Sequence, residues 1–411
     1  MRPSRSIRQI HPIHQTIVCV LLLLSAVGCA AAPSATPPPL LFPGSPYTDL
    51  DKLQAGTIVH LPTGRALTDE ELTDLAGHAR VIFVGEMHTN MEHHRVQLAV
   101  IDALEKRRPG KIAVGMEMFQ RPSQPQLDQW SRGELDAKAF KKLWYDNWGE
   151  EYAFYQPILE LIRARKIPLI ALNATDEQVK KVEKQGLAGL SDDERAWLGS
   201  IDEKDPYQRK AMEAVFGGHS HGGSKGFEHF YETMLLWDET MAKSAADFLK
   251  SPAGADTTLI VLAGGFHVEY GYGIPKRLFR RLAEPYLILL PYTPEALIPE
   301  EYRMPVQAPE LPLYVADVIW STGYSEPEIK RARLGVRLDH KQQGAVVVKV
   351  ESGSPAEKAG ITPGDHILAV NGHEVHSTFE LVEQLRLVEP GETASITIER
   401  PGQKVDITVQ F

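Results

Sequence analysis

Four stretches of the chain are apolar almost without interruption: VIFVG at 81–85, KIAVGM at 111–116, IPLIAL at 167–172 and TLIVLAG at 258–264. Each has strand length and none alternates with polar residues, so both of its faces must be covered. Long amphipathic stretches separate them, among them Glu92 to Lys106 and Ala153 to Arg165. Buried strands alternating with helices predict an α/β fold, a mainly parallel sheet with helices on both faces. YLILLP at 286–291 supplies a fifth strand, and Asp317-Val318-Ile319-Trp320 reads as a last strand at the sheet edge. Helical content between the third and fourth strands runs from about Asp176 to Leu249, interrupted by GGHSHGGSKG at 217–226.

The flanks of this body read differently. Thr57-Ile58-Val59-His60 and the turn Pro62-Thr63-Gly64-Arg65 predict a small hairpin. Thr68 to Glu71 starts a helix, with Thr68 as cap and Glu71 as its reciprocal partner. At the chain start, Arg2, Arg5 and Arg8 precede the apolar run Ile17 to Leu24, and small residues lead into Cys29. That run is shorter than the roughly 20 residues a spanning helix needs, so residues 1–28 read as a signal peptide. The placement of Cys29 resembles a bacterial lipobox, which implies an acylated N-terminus anchored in a membrane. Ordinary cleavage near Ala30 to Ala32 is the alternative. Ala30 is not the Asp that resembles an inner-membrane retention signal, which favours the outer membrane, facing the periplasm. Residues 29–46, rich in Pro, Ala and Ser, form a tether.

Of the two cysteines, Cys19 lies inside the signal segment, so the remaining chain has no disulfide available. The formal net charge is -10, which argues against a basic groove and excludes nucleic acid as a partner class. A length of 411 residues accommodates two or three domains. Ile298 to Pro327 is Pro-rich and marks a boundary, giving an α/β domain over 47–322, a linker over 323–332 and a small β-rich domain over 333–411.

The last segment carries LGVRL, then VVVKVESGSPAEKAGITPGDHILAVNG, then a helix near Thr378–Leu387 and two closing strands. It resembles a PDZ domain of the bacterial periplasmic-protease type. The resemblance implies that the Leu334-Gly335-Val336 loop presents N–H groups to the carboxylate of a peptide or protein C-terminus. The following strand would then accept the peptide by β-augmentation. Packing on its own first domain or on a neighbour is the alternative, and a homodimer is one expected assembly.

Ligands of open parallel sheets bind beyond the carboxyl ends of the strands. There the sequence places Gly85-Glu86-Met87-His88, Met116-Glu117-Met118-Phe119, Asn173 and Gly264-Gly265-Phe266-His267. Glu86, His88, Glu117 and His267 converge if these strands are neighbours. Two imidazoles and two carboxylates suit a divalent ion such as zinc, manganese or iron, or general acid–base work on a metal-bound water. A hydrogen-bonded polar network at the sheet rim is the other reading.

GEMHTNMEHHRVQ, MEMFQRP, WDETMA at 237–242 and GGFHVEYGYGIP at 264–275 resemble the ChaN family of iron-regulated, haem-binding lipoproteins over roughly residues 47 to 320. The wider group includes Tiki, TraB and erythromycin-esterase-like proteins and shares a GExH motif, a Glu on the second strand and a later GxxH motif. These fall on Glu86 with His88, on Glu117, and on Gly264 with His267. The ChaN resemblance implies haem binding in iron acquisition; the Tiki resemblance implies a metal-dependent hydrolase or peptidase; an inert first domain would leave a PDZ scaffold. Haem needs an axial ligand and an apolar wall. Tyr152, Tyr155, Tyr270 and Tyr272 are the ligand candidates, with Met116, Met118, Phe119 and Trp148 as wall. One of His93 and His94 is expected to face the site and the other solvent. His219 and His221 lie in a loop that either captures a metal or porphyrin or is merely mobile. Asp238 and Glu239 either orient an imidazole or lie at the surface.

Overall fold

The computed structural model describes residues 47, 49–149, 152–217, 223–303, 311–328, 331–339, 344–400 and 403–411. The signal segment, Cys29, the tether, His219 and His221 lie outside the described residues. The chain divides into two compact units between Pro327 and Glu328.

The first unit is an eight-stranded sheet in the order β2-β1-β8-β7-β3-β6-β4-β5. Its strands are β1 (Ile58–His60), β2 (Arg65–Leu67), β3 (Val81–Glu86), β4 (Ile112–Gln120), β5 (Leu169–Asn173), β6 (Thr258–Gly264), β7 (Tyr286–Tyr292) and β8 (Val318–Ser321). β3 to β8 run parallel, while β1 pairs antiparallel with both β2 and β8. The Asp317–Trp320 segment is therefore not an edge: β8 lies between β7 and β1, because the N-terminal hairpin adds to its free side. Thr68 caps the helix Asp69–Ala76, with Glu71 completing the capping box.

Side-chain parity divides the core. Val81, Phe83, Leu259, Val261 and Ala113 point into one cluster with the helix Gly223–Lys250. Ile82, Val84, Ile260, Leu262, Ile112 and Val114 point into the other, against the helices Met91–Arg107 and Tyr152–Arg165. Each fully buried Leu, Ile, Val or Phe contributes about 1.5–3 kcal/mol, which is why uninterrupted apolar strands specify a two-sided sheet. At the far edge, β5 is sealed by a side chain. The Gln124 carboxamide accepts from the Ala171 N–H at 2.8 Å and donates to the Leu169 carbonyl at 2.9 Å, and Ser131 Oγ takes the Leu169 N–H. These contacts occupy backbone groups through which another strand would otherwise add.

The second unit is an antiparallel sheet in the order β14-β13-β11-β10-β9, with β12 paired to β11. Its strands are β9 (Val336–Leu338), β10 (Ala345–Val350), β11 (His366–Val370), β12 (His373–Glu374), β13 (Thr393–Arg400) and β14 (Gln403–Gln410). Asn371 and Gly372 turn between β11 and β12 with φ of 50° and 80°, as their sequence requires. Gly335 has φ 76°, and a Cβ there would lie 2.3 Å from the Ser354 Cβ, so only glycine fits. Its own core gathers Leu334, Val347, Ile367, Ile396 and Ile398.

Candidate functional site

β6 sits between β3 and β4, so the three strands that carry the polar motifs are neighbours. Glu86 lies opposite Gly264 in the β3–β6 register. Parity then sends the two carboxylates to opposite faces. Glu86 shares the face of Ile82 and Val84, Glu117 that of Ala113, and each meets a histidine at the rim.

On the first face, His88 Nδ1 lies 2.7 Å from Glu86 Oε1. A carboxylate can only accept, so His88 carries its proton on Nδ1 toward Glu86. Tyr155 donates its hydroxyl to the same oxygen. Gln97 donates to Oε2 at 2.6 Å, and His94 Nδ1 stands 3.5 Å from that oxygen. Both oxygens of Glu86 are thus taken. Burial works to raise its pKa, but the His94 charge and the bonds from His88 and Tyr155 outweigh it and hold the carboxyl below its usual range. The His88 side chain keeps 32 % of its surface open, and its ring meets Trp148 edge-on at 5.1 Å.

On the second face, His267 Nδ1 lies 2.7 Å from Asp238 Oδ1, and its Nε2 is 3.4 Å from Glu117 Oε1. Glu117 Oε2 accepts the Gly264 N–H at 2.7 Å. Burial alone would lower the pKa of His267; Glu117 and Asp238 instead raise it to about 10. Burial alone would raise that of Glu117, yet His267 and the Gly264 N–H bring it to about 2. Behind them, Gln208 donates to Asp238 Oδ2 at 2.6 Å and accepts from the fully buried Arg277 at 2.8 Å. The two halves meet at Gly264, where an added Cβ would lie 3.0 Å from His88 Nε2 and 3.6 Å from Glu117 Oε2.

The remaining candidates separate by exposure. Met116, Met118 and Phe119 are core residues exposed by no more than 1 %, so they offer no wall to a ligand. Continuous apolar character at a strand end marks burial as well as a binding surface, and here burial wins. Tyr152, Tyr155 and Tyr272 are buried, Tyr155 with its ring against His94 at 4.2 Å. Tyr270 is half-buried, has φ 57°, and stacks on Tyr272 at 5.8 Å. His93 and His94 are both buried, so neither faces solvent. Burial and the neighbouring His94 push His93 down to about 3, and its Nδ1 accepts the Met87 N–H at 2.9 Å. Asp238 orients an imidazole; Glu239 does not, and pairs instead with Arg280 and Arg281. In the second unit, Leu334 is buried while Gly335 and Val336 are half-buried, and the strand that starts at Val336 pairs with β10.

Sequence reasoning missed Gln97, Gln208, Arg277 and Glu269. Gln97 stood inside a quoted motif, one helical turn from His94. Gln208 and Arg277 carried no local signal. Glu269 folds over Gly265, where a Cβ would lie 2.6 Å from its Oε1, and burial pushes its carboxyl up to about 7 although part of the side chain is open. Among the described residues, no group of three or more His, Cys, Asp or Glu side chains has metal-holding geometry. Among them also, no helix is long and apolar enough to cross a membrane.

The family model described as haem-binding uptake, Tiki superfamily, ChaN matches residues 72–278, and a PDZ domain model matches 332–411. A probable periplasmic serine endoprotease, DegP-like, of Hahella chejuensis is 36% identical over 95 residues, covering 20% of this chain and 20% of that protein. RETICULATA-RELATED 5, chloroplastic, of Arabidopsis thaliana is 23% identical over 265 residues, covering 59% of this chain and 34% of that protein. The chain thus spans between a fifth and a third of these relatives. A solved structure titled cofacial heme binding to ChaN of Campylobacter jejuni aligns with TM-score 0.49 and 15% identity, covering 65% of this chain and 98% of that one.

Proposed function

We propose, from the premise that this chain belongs to the ChaN family of haem-binding uptake proteins in the Tiki superfamily, that it binds haem in iron acquisition at the cell envelope. In this reading the PDZ unit captures peptide or protein C-termini, and an acylated Cys29 anchors the chain in a membrane, the outer one facing the periplasm. The observation that carries the haem assignment is the family match over 72–278, which takes in every polar motif of the strand ends.

Of the four tyrosine candidates, Tyr270 fits an iron ligand best. Tyr155 spends its hydroxyl on Glu86, and Tyr152 and Tyr272 are buried. Tyr270 is the half-open member of the stacked pair, and its backbone is pinned by donation of its N–H to the Val315 carbonyl at 2.8 Å. Burial and Glu269 push its phenol above the usual range, so it keeps its proton until a cation replaces it. Haem, when bound, would supply a ferric centre for that oxygen. Haemin titration of the purified chain should give a saturable Soret shift that Tyr270→Phe loses. A shift identical in wild type and variant would remove Tyr270 from the reading, and no shift at all would sink the haem assignment.

A second reading, metal-dependent hydrolysis of the Tiki-like type, is favoured by one observation: His88, Glu117 and His267 approach one another around Gly264. Against it, His267 is held between two carboxylates and both Glu86 oxygens are occupied. Stoichiometric zinc, manganese or iron in the untreated protein, lost in His88→Ala, would favour it. Peptide capture would show as binding of a labelled C-terminal peptide, and Cys29→Ala would release the chain from the membrane fraction if the anchor is correct.

A further inference from the structure

The loop that carries His88 is fastened at its far end by residues 323–325, where the first unit runs into the linker to the second. Asn90, fully buried, caps the helix Met91–Arg107 by accepting the Glu92 N–H at 3.1 Å, and the same oxygen accepts the Ser325 N–H at 3.2 Å. Its amide nitrogen donates to Thr293 Oγ1 at 2.8 Å and to the Gly323 carbonyl at 3.1 Å. Met91 donates its N–H to the Ser325 carbonyl at 2.8 Å, and Ser325 Oγ donates to Glu92 Oε1 at 2.6 Å.

From this fastening the contacts run directly to His88. Thr293 Oγ1 meets His93 Nε2 at 2.9 Å, and His93 Nδ1 accepts the Met87 N–H at 2.9 Å. His94, on the same helical turn, places Nε2 3.1 Å from the His88 carbonyl and Nδ1 toward Gln97 and Glu86. The peptide groups on both sides of the Met87–His88 bond are therefore held by histidines whose helix start is tied to Gly323 and Ser325. Ser325 stands two residues before the division between the units, and eight residues separate it from Leu334.

We infer that residues 323–325 form a clamp that fixes the His88 loop, so that the root of the linker to the second unit is itself a working part of the site. The clamp has two discrete states. Withdrawing Ser325 and Gly323 leaves the buried Asn90 amide without two of its partners, and a buried polar group left unsatisfied costs far more than a lengthened bond. Partial withdrawal is therefore disfavoured, and displacement of the linker root reaches His88 as release of the loop. The agent that would displace it is a protein terminus held by the second unit, a consequence that rests on the peptide reading above.

Hydrogen–deuterium exchange of the full chain, read by mass spectrometry, tests the clamp without any ligand. Ser325→Pro removes the N–H that Asn90 accepts. Exchange over residues 87–93 should rise about ten-fold or more through local opening, with Val81–Val84 and Leu259–Leu262 unchanged. Unaltered exchange over 87–93 in folded Ser325→Pro overturns the inference. Asn90→Asp, which keeps the oxygen that caps the helix but loses the donor to the Gly323 carbonyl, and Thr293→Val carry the same test should the proline variant fail to fold: faster exchange confined to 87–93 supports the clamp, and wild-type exchange in both overturns it. The pentapeptide FGRWV, named as the ligand in a solved HtrA3 PDZ structure, then separates the clamp from the peptide reading. Anisotropy of the labelled peptide establishes binding. Bound peptide that changes exchange over 87–93 supports transmission; bound peptide without change limits the clamp to a static fastening; no binding counts against the peptide reading alone, since the variants have already judged the clamp.

Discussion

His88 and His267 are the same residue type at the ends of two neighbouring strands, each with Nδ1 2.7 Å from a buried carboxylate. Their other nitrogens differ. His267 faces Glu117 at 3.4 Å and is sealed with 8 % of its side-chain surface open, whereas His88 keeps 32 % open and turns its Nε2 toward Gly264. One imidazole is an ion held between two anions, and the other is an oriented ring that stays partly open to solvent. The orienting carboxylate is common to both, so it does not make a histidine available. The second contact decides.

Deleting each ring in turn should separate the two histidines most widely. His267→Ala leaves Asp238 and Glu117 buried beside an empty space, and losing one partner of a buried pair costs about 3–5 kcal/mol. His88→Ala should cost about 1–2 kcal/mol, since water can reach the groups it leaves. Urea unfolding of both variants gives the difference, and equal losses would erase the distinction.

The pH dependence separates the halves next. His267 has a folded pKa of about 10, above its ordinary 6.5, so its contribution is complete below 6.5 and is lost as pH rises toward 10. Glu117, at about 2 against an ordinary 4.5, contributes fully above 4.5 and loses that contribution as pH falls toward 2. His93, pushed down to about 3, stabilises above 6.5 and loses that as pH falls toward 3. Denaturant midpoints across pH should therefore fall between 6.5 and 10, and His267→Gln should flatten that alkaline limb while leaving the fall toward pH 3 from His93. A limb of unchanged slope would contradict the ion-pair assignment.

Two smaller changes sharpen the boundary between the halves. Tyr155→Phe removes a hydroxyl donated to the buried Glu86 and should cost about 2 kcal/mol. Gly264→Ala places a methyl 3.0 Å from His88 Nε2, a crowding that costs about 1 kcal/mol if the half-open ring shifts outward. Histidine side-chain NMR of Gly264→Ala should then show the His88 resonances displaced and those of His267 in place. The reverse would mean that His88 is the rigid member.

Much of this was legible in the chain itself. The five apolar strands, the Thr68 cap, the Asn371-Gly372 turn and the antiparallel β-rich second unit follow from local periodicity and turn chemistry. That Glu86 and His88 share a face follows from the two-residue repeat of a strand. What local pattern could not supply was strand order. Sequence places β6 after β5, but the chain returns to insert it between β3 and β4, and that insertion brings Glu117, Gly264 and His88 together. Nor could periodicity distinguish an apolar wall from core, so Met116, Met118 and Phe119 read as accessible when the helix Tyr152–Arg165 and its neighbours cover them. β8 became an interior strand because the N-terminal hairpin, more than two hundred residues away, completes its hydrogen bonds.

Which segments are strands, where the second unit begins to change character, and which carboxylates and imidazoles stand at strand ends can all be read from the chain before it folds. These are local properties, set by side-chain spacing and backbone preference. Which histidine is locked and which is partly exposed emerges only on folding. That depends on Asp238, Gln97, Tyr155 and Arg277, which reach the site from four separate helices, and on the low dielectric in which burial makes each charge partner matter.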